Sequence, residues 1–486
     1  MKKLLRYLGI ILLTSVILVA CDEDDDFSSD PSLRLAFSCD TLSFDTLFTT
    51  VGSPTGMMKV YNRNGSALRI QNVSLKNADK GFRVNVDGQY SNSIEGLEIR
   101  KGDSLYVFVE VTPRENGADT PLFLSDSICF TLESGVQQYV TLLAYGRDVQ
   151  FLRGKVIERD TLLTKGHYVV YDSLYVKDGA TLSLSEGCTL YFHAKTELKV
   201  HGTLHANGTL EEPVVFRGDR TDNMFDYLPY DRIPGQWGGI TFASTSNGNV
   251  LRHCDIHSAN YGLFVQQGDT TKQRLTIESS RVENVNGNAL ETVCSRVDVS
   301  NSLIANAGGN CVKIVGGSVR FLHCTIANFF VFKLRDVALA LHNSIDGAPA
   351  PLYEATFANC IIAGSKEDEV MGYLSNLGDT VENCINYRFV SSLVNTVDDD
   401  NENFIDVVYD NSEETPFAKE HFCLIDNKEF NYDFHLTDST TARGMASSEY
   451  SASIKYDLDG VERPLDKADA GCFQYVELPV EDETVE

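Results

Sequence analysis

A short pattern recurs seven times in the second half of the chain, and it constrains the fold more than any other feature. Each copy has an apolar residue, then Cys, Ser or Asn three positions later, then another apolar residue two positions further on. The copies are Leu251/Cys254/Ile256, Ile277/Ser280/Val282, Val299/Ser302/Ile304, Phe321/Cys324/Ile326, Ala340/Asn343/Ile345, Phe357/Cys360/Ile362 and Val381/Cys384, where Asn386 fills the last position. Their central residues lie 26, 22, 22, 19, 17 and 24 residues apart. A drifting period of about twenty residues predicts one turn of a stacked coil per copy, as in a solenoid.

The cysteines of this pattern are predicted to be packing residues. Side chains in one slot face the same way in every coil, so Cys there acts as a small buried residue that Ser or Asn can replace. Their spacing matches no zinc template, and we expect no metal ion and no other cofactor. On this alignment Cys360 and Cys384 are the only slot cysteines in adjacent coils. A disulfide within the stack would need cysteines in adjacent coils, so only that pair could form one. Cys39 and Cys129, outside the repeat, could also pair.

Residues 1–20 have the organisation of a secretory signal. Three cationic residues precede an apolar stretch over residues 8–20, which is too short for a comfortable transmembrane helix. The stretch ends in Leu18-Val19-Ala20-Cys21, which resembles a bacterial lipobox. The resemblance implies that Cys21 is diacylated and becomes the mature N-terminus, and multiple acyl chains anchor a protein without a membrane span. The alternative is an ordinary signal peptide followed by a chance cysteine.

Residues 21–32 are predicted to form an acidic tether. The run Asp22-Glu23-Asp24-Asp25-Asp26 resembles the acidic run that marks Bacteroidetes lipoproteins for the outer face of the outer membrane; a solvated spacer is the alternative. Cleavage removes three positive charges and takes the formal net charge from −28 to −31. A chain this anionic is not expected to bind nucleic acid. The expected location is the outer membrane, lipid-anchored and facing outside.

Residues 33–147 show the alternation of short strands. Apolar and polar residues alternate over 105–111, 128–132 and 139–144, and turn sequences such as Asn64-Gly65 separate the runs. About one hundred residues of such strands predict a β-sandwich. Residues 58–70 resemble the strand–turn–strand of immunoglobulin-like domains of the PapD/ASH type, which implies a spacer or adhesion module.

Residues 148–475 show a different sequence pattern. Strand–glycine steps run over 175–184, 187–192 and 198–204, and two further steps follow at 213–218 and 236–242. This succession resembles the opening coils of right-handed parallel β-helix proteins, in particular Bacteroidetes lipoproteins. The fold class predicted for the whole chain is therefore all-β, an N-terminal β-sandwich followed by a right-handed parallel β-helix.

The end of the chain is predicted to close the β-helix. The stretches 433–436, 457–464 and 468–473 resemble the segment that often ends such proteins, although Ala470, Cys472 and Phe473 depart from its usual Asp-Ile-Gly-Ala-Tyr-Glu sequence. The resemblance implies a C-terminal cap. Residues 476–486 form an acidic tail, and the polar insertions near 219–235, 364–381 and 395–432 are expected to project as loops.

The second strand of each coil carries the best candidate catalytic residues. Alternation is expected to point Phe264, Glu291, Lys313 and Lys333 outward in one column, with Arg335 nearby. A lyase needs a cationic base, and Lys313, Lys333 or Arg335 would supply it beside Glu291. The alternative is a surface ladder of ion pairs.

Two other features invite a functional hypothesis. His253, His323 and His342 precede the slot residue in their copies, but polar residues at a corner between strands more often satisfy backbone groups in a turn. Trp237 is the only tryptophan and lies between glycines, which favours packing over a sugar-stacking platform.

Asp followed by Ser or Thr recurs along the chain. The pattern resembles the O-glycosylation sequon of Bacteroidetes exported proteins, whereas Asp-Ser and Asp-Thr are also good turn residues before a strand. The candidate acceptors are Thr41, Thr46, Ser104, Ser127, Thr161, Ser173, Thr270, Thr380 and Ser439.

The sequence favours a noncatalytic role, which is structural, adhesive or in binding polysaccharide or cell-surface glycans. The alternative is a polysaccharide lyase or glycoside hydrolase on the same scaffold. An enzyme should place acidic or basic residues in a tight cluster on adjacent coils, with perturbed pKa values. A binding protein should present a broad face with aromatic residues.

Overall fold

The structure is a computed structural model that describes residues 26–118, 120–225, 227–375, 384–397, 401–410 and 420–477. The chain divides into two compact units, residues 1–148 and 149–486. The predicted signal 1–20, Cys21 and Thr380 lie outside the described residues. Within the described ranges, no helix has the length and apolar character needed to span a bilayer.

The first unit is a β-sandwich of two five-stranded sheets. One sheet has the order β1-β3-β8-β5-β6 and the other β2-β10-β9-β4-β7, and alternate residues of both, such as Val60, Val109 and Ile128, form one buried core. All pairings are antiparallel except that of β2 with β10. The strands are β1 Ala36–Phe37, β2 Thr41–Phe48, β3 Gly56–Tyr61, β4 Leu68–Leu75, β5 Phe82–Val86, β6 Gln89–Tyr90, β7 Ser93–Ile99, β8 Ser104–Val111, β9 Leu122–Leu132 and β10 Gln137–Arg147.

The second unit is a right-handed parallel β-helix, and the predicted fold class is confirmed. Its strands are β11 Gln150–Ile157, β12 Thr161–Leu163, β13 Gly166–Val176, β14 Thr181–Leu184, β15 Cys188–Phe192, β16 Leu198–Val200, β17 Thr203–Asn207, β18 Val214–Gly218, β19 Asn223–Phe225, β20 Leu228–Pro229, β21 Ile240–Phe242, β22 Asn249–Arg252, β23 Cys254–His257, β24 Leu263–Val265, β25 Gln273–Glu278, β26 Arg281–Val285, β27 Leu290–Ser300, β28 Leu303–Ala307, β29 Val312–Leu322, β30 Thr325–Asn328, β31 Leu339–His342, β32 Ser344–Ile345, β33 Ala348–Pro349, β34 Leu352–Ala358, β35 Ile361–Gly364, β36 Val370–Tyr373, β37 Ile385–Val390, β38 Leu393–Val394, β39 Phe404–Ile405, β40 Val408–Tyr409, β41 Phe422–Asp426 and β42 Asn431–Leu436. A 3-10 turn spans Tyr230–Arg232, and a one-turn helix, α1, spans Ser448–Ser451.

Each coil contributes strands to three parallel sheets. Sheet A contains the first half of β13, then β15, β18, β23, β26, β28, β30, β35, β38 and β40. Sheet B contains the second half of β13, β16, β21, β24, the first halves of β27 and β29, β31 and β36. Sheet C contains β12, β14, β17, β22, β25, the second halves of β27 and β29, β34, β37 and β39. Inward residues of all three sheets fill one continuous apolar interior.

The register corrects two copies of the repeat. Leu251, Ile277, Val299, Phe321 and Phe357 are successive partners, and the next partner is Phe389, with Ser392 in the slot. The copy at Ala340 is wrong because Ala340 lies in sheet B, and the copy ending at Cys384 is wrong because Cys384 precedes a strand of sheet C.

The slot cysteines are interior residues, as predicted. Cys254, Cys324 and Cys360 are buried, and every described cysteine is a free thiol, including Cys39 and Cys129. Cys324 and Cys360, not Cys360 and Cys384, occupy adjacent coils. Serine in the slot adds a hydrogen bond, because Ser280 Oγ accepts from the Cys254 amide at 3.0 Å.

The closing segment, residues 420–475, lies along the side of the β-helix. Its residues Phe434, Leu436 and Phe473 pack on the outward side chains of sheet A, including Leu303 and Ile361, in a second apolar cluster. The expected end cap is corrected to a lateral cover. β28, β30 and β35 are buried on both faces, so their outward side needs such a cover.

Two of the predicted projecting loops contain coil strands. β36 lies within 364–381 and joins sheet B, while β39 and β40 lie within 395–432 and join sheets C and A. Their short apolar runs extend the stack despite the polar residues around them. The insertion 219–235 does stand outside the three sheets and carries the hairpin β19–β20.

Candidate functional site

The structure separates the predicted catalytic residues. Phe264, Glu291 and Lys313 are consecutive partners in sheet B, and Lys313 Nζ lies 3.0 Å from a Glu291 carboxylate oxygen. Ala340, not Lys333, continues this column, so the expected place of Lys333 is wrong. Lys333 lies in the connection before β31. The pair Glu291–Lys313 therefore has the geometry of the predicted ion-pair ladder.

Arg335 forms a buried ion pair. Its guanidinium contacts both carboxylate oxygens of Glu369, at 2.5 and 3.0 Å, and the two side chains are 5% and 0% exposed. Glu369 also accepts from the Ala338 and Lys366 amides. Burial raises the pKa of Glu369, which Arg335 opposes. These groups are fully engaged in holding the connection, which leaves Arg335 no access to a substrate.

The histidine column is largely a turn ladder. His253, Ser279, Asn301, His323, Asn359 and Ser391 occupy equivalent corners between sheets C and A, all with positive φ between 45° and 55°. His342 lies elsewhere, stacked on Tyr373 in sheet B. Trp237 is fully buried against Phe192 and donates to the His257 carbonyl, so it presents no ring to a sugar.

The outward face of sheet A in the first coils carries a dense group of aromatic and ionisable side chains. We call it the sheet A face; its residues are Arg153, Tyr171, Tyr191, His193, Arg217, Asp219, Asp255, His257, Arg281 and Glu283. It begins with rings: Tyr171 lies 6.1 Å from Phe151 and 4.8 Å from His193, centroid to centroid. The Arg153 guanidinium lies 4.3 Å from the Tyr171 ring centroid. Neighbouring rings and cations of this kind are suited to contact with sugar rings.

Ionisable groups on adjacent coils follow the rings. In β23 and β26 the buried residues alternate with Asp255, His257, Arg281 and Glu283, which face outward. Asp255 is the strand partner of Arg281, and His257 is the strand partner of Glu283, in neighbouring strands that lie about 4.8 Å apart. The insertion 219–235 adds Asp231 above them. Asp231, Asp255, His257 and Glu283 are called the His257 cluster below.

His257 is the centre of this cluster. Its Nδ1 lies 2.8 Å from Asp255 and its Nε2 2.7 Å from Asp231, which also contacts Arg217 at 2.8 Å. Burial disfavours the imidazolium, but Asp255 and Asp231 outweigh it and raise the pKa of His257 to about 10. Although burial opposes ionisation of both acids, the His257 cation lowers the pKa of Asp231 and of Asp255. The three groups form a charged triad near neutral pH.

Glu283 is the free member of the cluster. Its carboxyl forms no hydrogen bond or ion pair with any of the described residues, and burial raises its pKa. A carboxyl with raised pKa beside an ionised one is the arrangement that glycosidases use for a general acid and its partner. The cluster therefore has the groups for acid–base chemistry on adjacent rungs.

The closing segment completes the other side of the face. Asp459 contacts Arg281 at 2.9 Å and His435 at 2.7 Å. Asp433 and Asp459 raise the pKa of His435 to about 9. Sequence reasoning missed this site because the insertion supplies Asp231 and the closing segment supplies Asp459 and His435, and both segments are remote in sequence from the coils. The alternating Asp255, His257, Arg281 and Glu283 in consecutive copies were the available signal.

The candidate O-glycosylation residues are scattered over both units. Thr41, Thr270 and Ser439 are exposed, whereas Ser104, Ser127, Thr161 and Ser173 are half-buried, as is Thr46. Several of the preceding aspartates act in turns, since Asp103 and Asp126 each accept from the next amide at 2.7 Å. Glycosylation stays a prediction.

One further group has the composition of a cation site. Ligand atoms of Asp410, Glu420 and His421 lie within 4.8 Å of one another. Both imidazole nitrogens of the buried His421 are already engaged, by Asp410 at 2.5 Å and by Thr440 at 2.8 Å. This arrangement stabilises the start of the closing segment.

Comparisons with known proteins agree with the fold. A family model described as right handed beta helix region matches residues 165–331, about a third of the chain. No curated protein matches the chain.

Several solved structures are similar to parts of the chain. A protein of unknown function from Porphyromonas gingivalis W83 has 13% identity and a TM-score of 0.19; the match covers 26% of this chain and 50% of that one, so the chain spans about half its length. An ASH/PapD-like domain of human CEP192 has 11% identity and a TM-score of 0.17, covering 25% and 89%. Dex49A from Penicillium minioluteum has 9% identity and a TM-score of 0.19, covering 75% and 70%. The immunoglobulin-like character of the first unit stays a prediction.

Proposed function

We propose that this protein is a lipid-anchored cell-surface protein that binds a polysaccharide along the sheet A face. One observation carries the proposal: a run of neighbouring rings, from Phe151 through Tyr171 to His193, leads on one face into the His257 cluster. Rings stack on the apolar faces of sugars, and charged groups hydrogen-bond to their hydroxyls. The hairpin β19–β20 adds Met224, Phe225 and Tyr227, each more than two fifths exposed, beside Asp231 in the same insertion.

The binding test compares two matched tyrosines of β13. Tyr171 and Tyr175 each lie 4.8 Å from a histidine ring of the next coil, but Tyr175 faces outward from sheet B. The full chain is titrated with dextran, mannan, pullulan, pectin and chondroitin sulfate by calorimetry. We expect one of them to bind, with Tyr171→Ala weakening binding at least tenfold and Tyr175→Ala changing it less than twofold. Equal effects of the two substitutions, or no binding, would contradict the proposal.

Glycoside hydrolysis at the His257 cluster is the second candidate, and the free Glu283 carboxyl favours it. In this scheme Glu283 protonates the leaving oxygen of the glycosidic bond while an ionised aspartate assists water. A reducing-end assay on the bound polysaccharide tests it. Glu283→Gln should abolish product formation while binding persists, and Glu291→Gln, in the sheet B ion pair, should leave the rate unchanged. Absence of new reducing ends with the wild-type protein leaves binding alone as the function.

A further inference from the structure

A second concave site lies around the corner from the sheet A face. It is a cleft of about 640 Å³ between the turn ladder and residues 453–460 of the closing segment. His253, Ser300 and Leu322 line its floor, and Ile454 and Tyr456 form a wall. Its volume falls in the range of small-ligand pockets. The turn 457–460 separates the cleft from the His257 cluster, because Asp459 faces Arg281 while Asp457 and Gly460 line the cleft.

The charged groups of the cleft are already neutralised within the protein. Arg252 contacts Glu278 at 2.7 Å, and Glu462 contacts Lys455 at 3.3 Å. The Asp457 carboxylate accepts from the amides of Asp459, Val461 and Gln474. A charged ligand would have to break these pairs, so the cleft favours an uncharged one.

The uncharged polar groups, in contrast, are available. The side chains of His253, Ser300 and Ser453 make no hydrogen bond to any other described residue, whereas Tyr456 interacts with Lys455, whose ammonium lies 5.1 Å from the Tyr456 ring centroid. Burial, with Arg252 beside it, lowers the pKa of His253, so its neutral ring offers one donor and one acceptor. Leu210, Leu322, Ile454 and the Tyr456 ring supply apolar surface between these groups. Hydroxyl-rich ligands with apolar ring faces match both kinds of surface.

From this lining we infer that the cleft binds a short neutral oligosaccharide, held by Tyr456 against the pyranose faces and by His253 and Ser300 at the hydroxyls. The inference does not rest on the sheet A face, since the two sites share no residue.

Calorimetric titration of the full chain with maltotetraose, cellotetraose, mannotetraose and tetragalacturonate tests the inference. We expect at least one neutral tetrasaccharide to bind and tetragalacturonate to bind at least tenfold more weakly. Tyr456→Ala should weaken the neutral ligand at least tenfold. Tyr353→Ala is the matched control, because that sheet C tyrosine is 48% exposed against 49% for Tyr456. Ser300→Phe, which fills the cleft without removing the ring, should also abolish binding.

The outcomes separate the two sites. Loss of tetrasaccharide binding in Tyr171→Ala but not in Tyr456→Ala would overturn the inference and leave the proposed function standing. The reverse result would support the cleft, and the sheet A face would still be decided by the polysaccharide titration with Tyr171→Ala. Failure of all three neutral tetrasaccharides to bind, or tighter binding of tetragalacturonate, would also overturn it. Thermal melting of each variant checks that the loss is not unfolding.

Discussion

At the scale of single residues, the His257 cluster makes a sharp pH prediction. A histidine whose pKa is raised from 6.5 to about 10 stabilises the fold fully below pH 6.5, and this contribution is lost as the pH rises through 10. We therefore expect the melting temperature to fall between pH 6.5 and 10. His257→Gln should be less stable below pH 6.5 by on the order of 2 kcal/mol and should show a flatter profile above it.

His342 is the control for this prediction. Burial, with Lys313 beside it, lowers the pKa of His342, so it has the opposite linkage sign. His342→Gln should leave the decline above pH 6.5 in place. An unchanged pH profile in His257→Gln would show that the triad contributes little to stability.

At the scale of elements, the closing segment depends on one corner of the turn ladder. Asn359 donates to the Ser447 carbonyl at 3.0 Å, accepts from the Ser447 amide at 2.8 Å and contacts the His323 ring at 2.9 Å. Its φ of +55° lies in the left-handed region, which glycine and asparagine adopt more readily than other residues. We expect Asn359→Ala to cost about 3 kcal/mol, from lost hydrogen bonds and backbone strain together.

Two substitutions separate these contributions. Asn359→Gly keeps the backbone relaxed and should recover about 1 kcal/mol, leaving the loss of hydrogen bonds. Asn284→Ala, at the same φ of +55° with no side-chain hydrogen bond among the described residues, should show the strain alone. Urea unfolding and limited proteolysis of residues 437–475 measure both effects. Equal stability of all three variants would mean that this corner does not hold the segment.

The sequence predicted the strands of the coils, because a single requirement, burial of the slot residue, decides where they lie. Slot residues such as Cys254 and Ser280 face the interior in every coil, so their spacing reveals the stack directly. The alignment misplaced Asn343, because the residues around it match the repeat although the strand before it lies in sheet B. The cover over Leu303 and Ile361 was not predicted, because it requires knowing which distant segment lies on an apolar outer face. The His257 cluster was missed for the same reason, since Asp231 and Asp459 reach it only in the folded chain.

At the scale of the whole molecule, both proposed sites belong to the second unit. They are the sheet A face and the cleft beside the closing segment. The predicted anchor at Cys21 would place both sites at a surface where polysaccharide is met. The predicted cleavage would leave a net charge of −31, which would keep the protein from anionic surfaces and make attachment depend on the predicted acyl chains alone.

Attachment and exposure can be tested separately at the N-terminus. Cys21→Ala removes the thiol that is predicted to be acylated, so we expect the protein to leave the membrane fraction. Replacing Asp22, Glu23, Asp24, Asp25 and Asp26 with Ser and Asn keeps the cysteine but removes the acidic run. That variant should stay in the membrane fraction and become resistant to protease added to intact cells, whereas the wild-type protein should be digested. If both proteins are digested equally, the run is a solvated spacer; if neither is, the protein does not face outside.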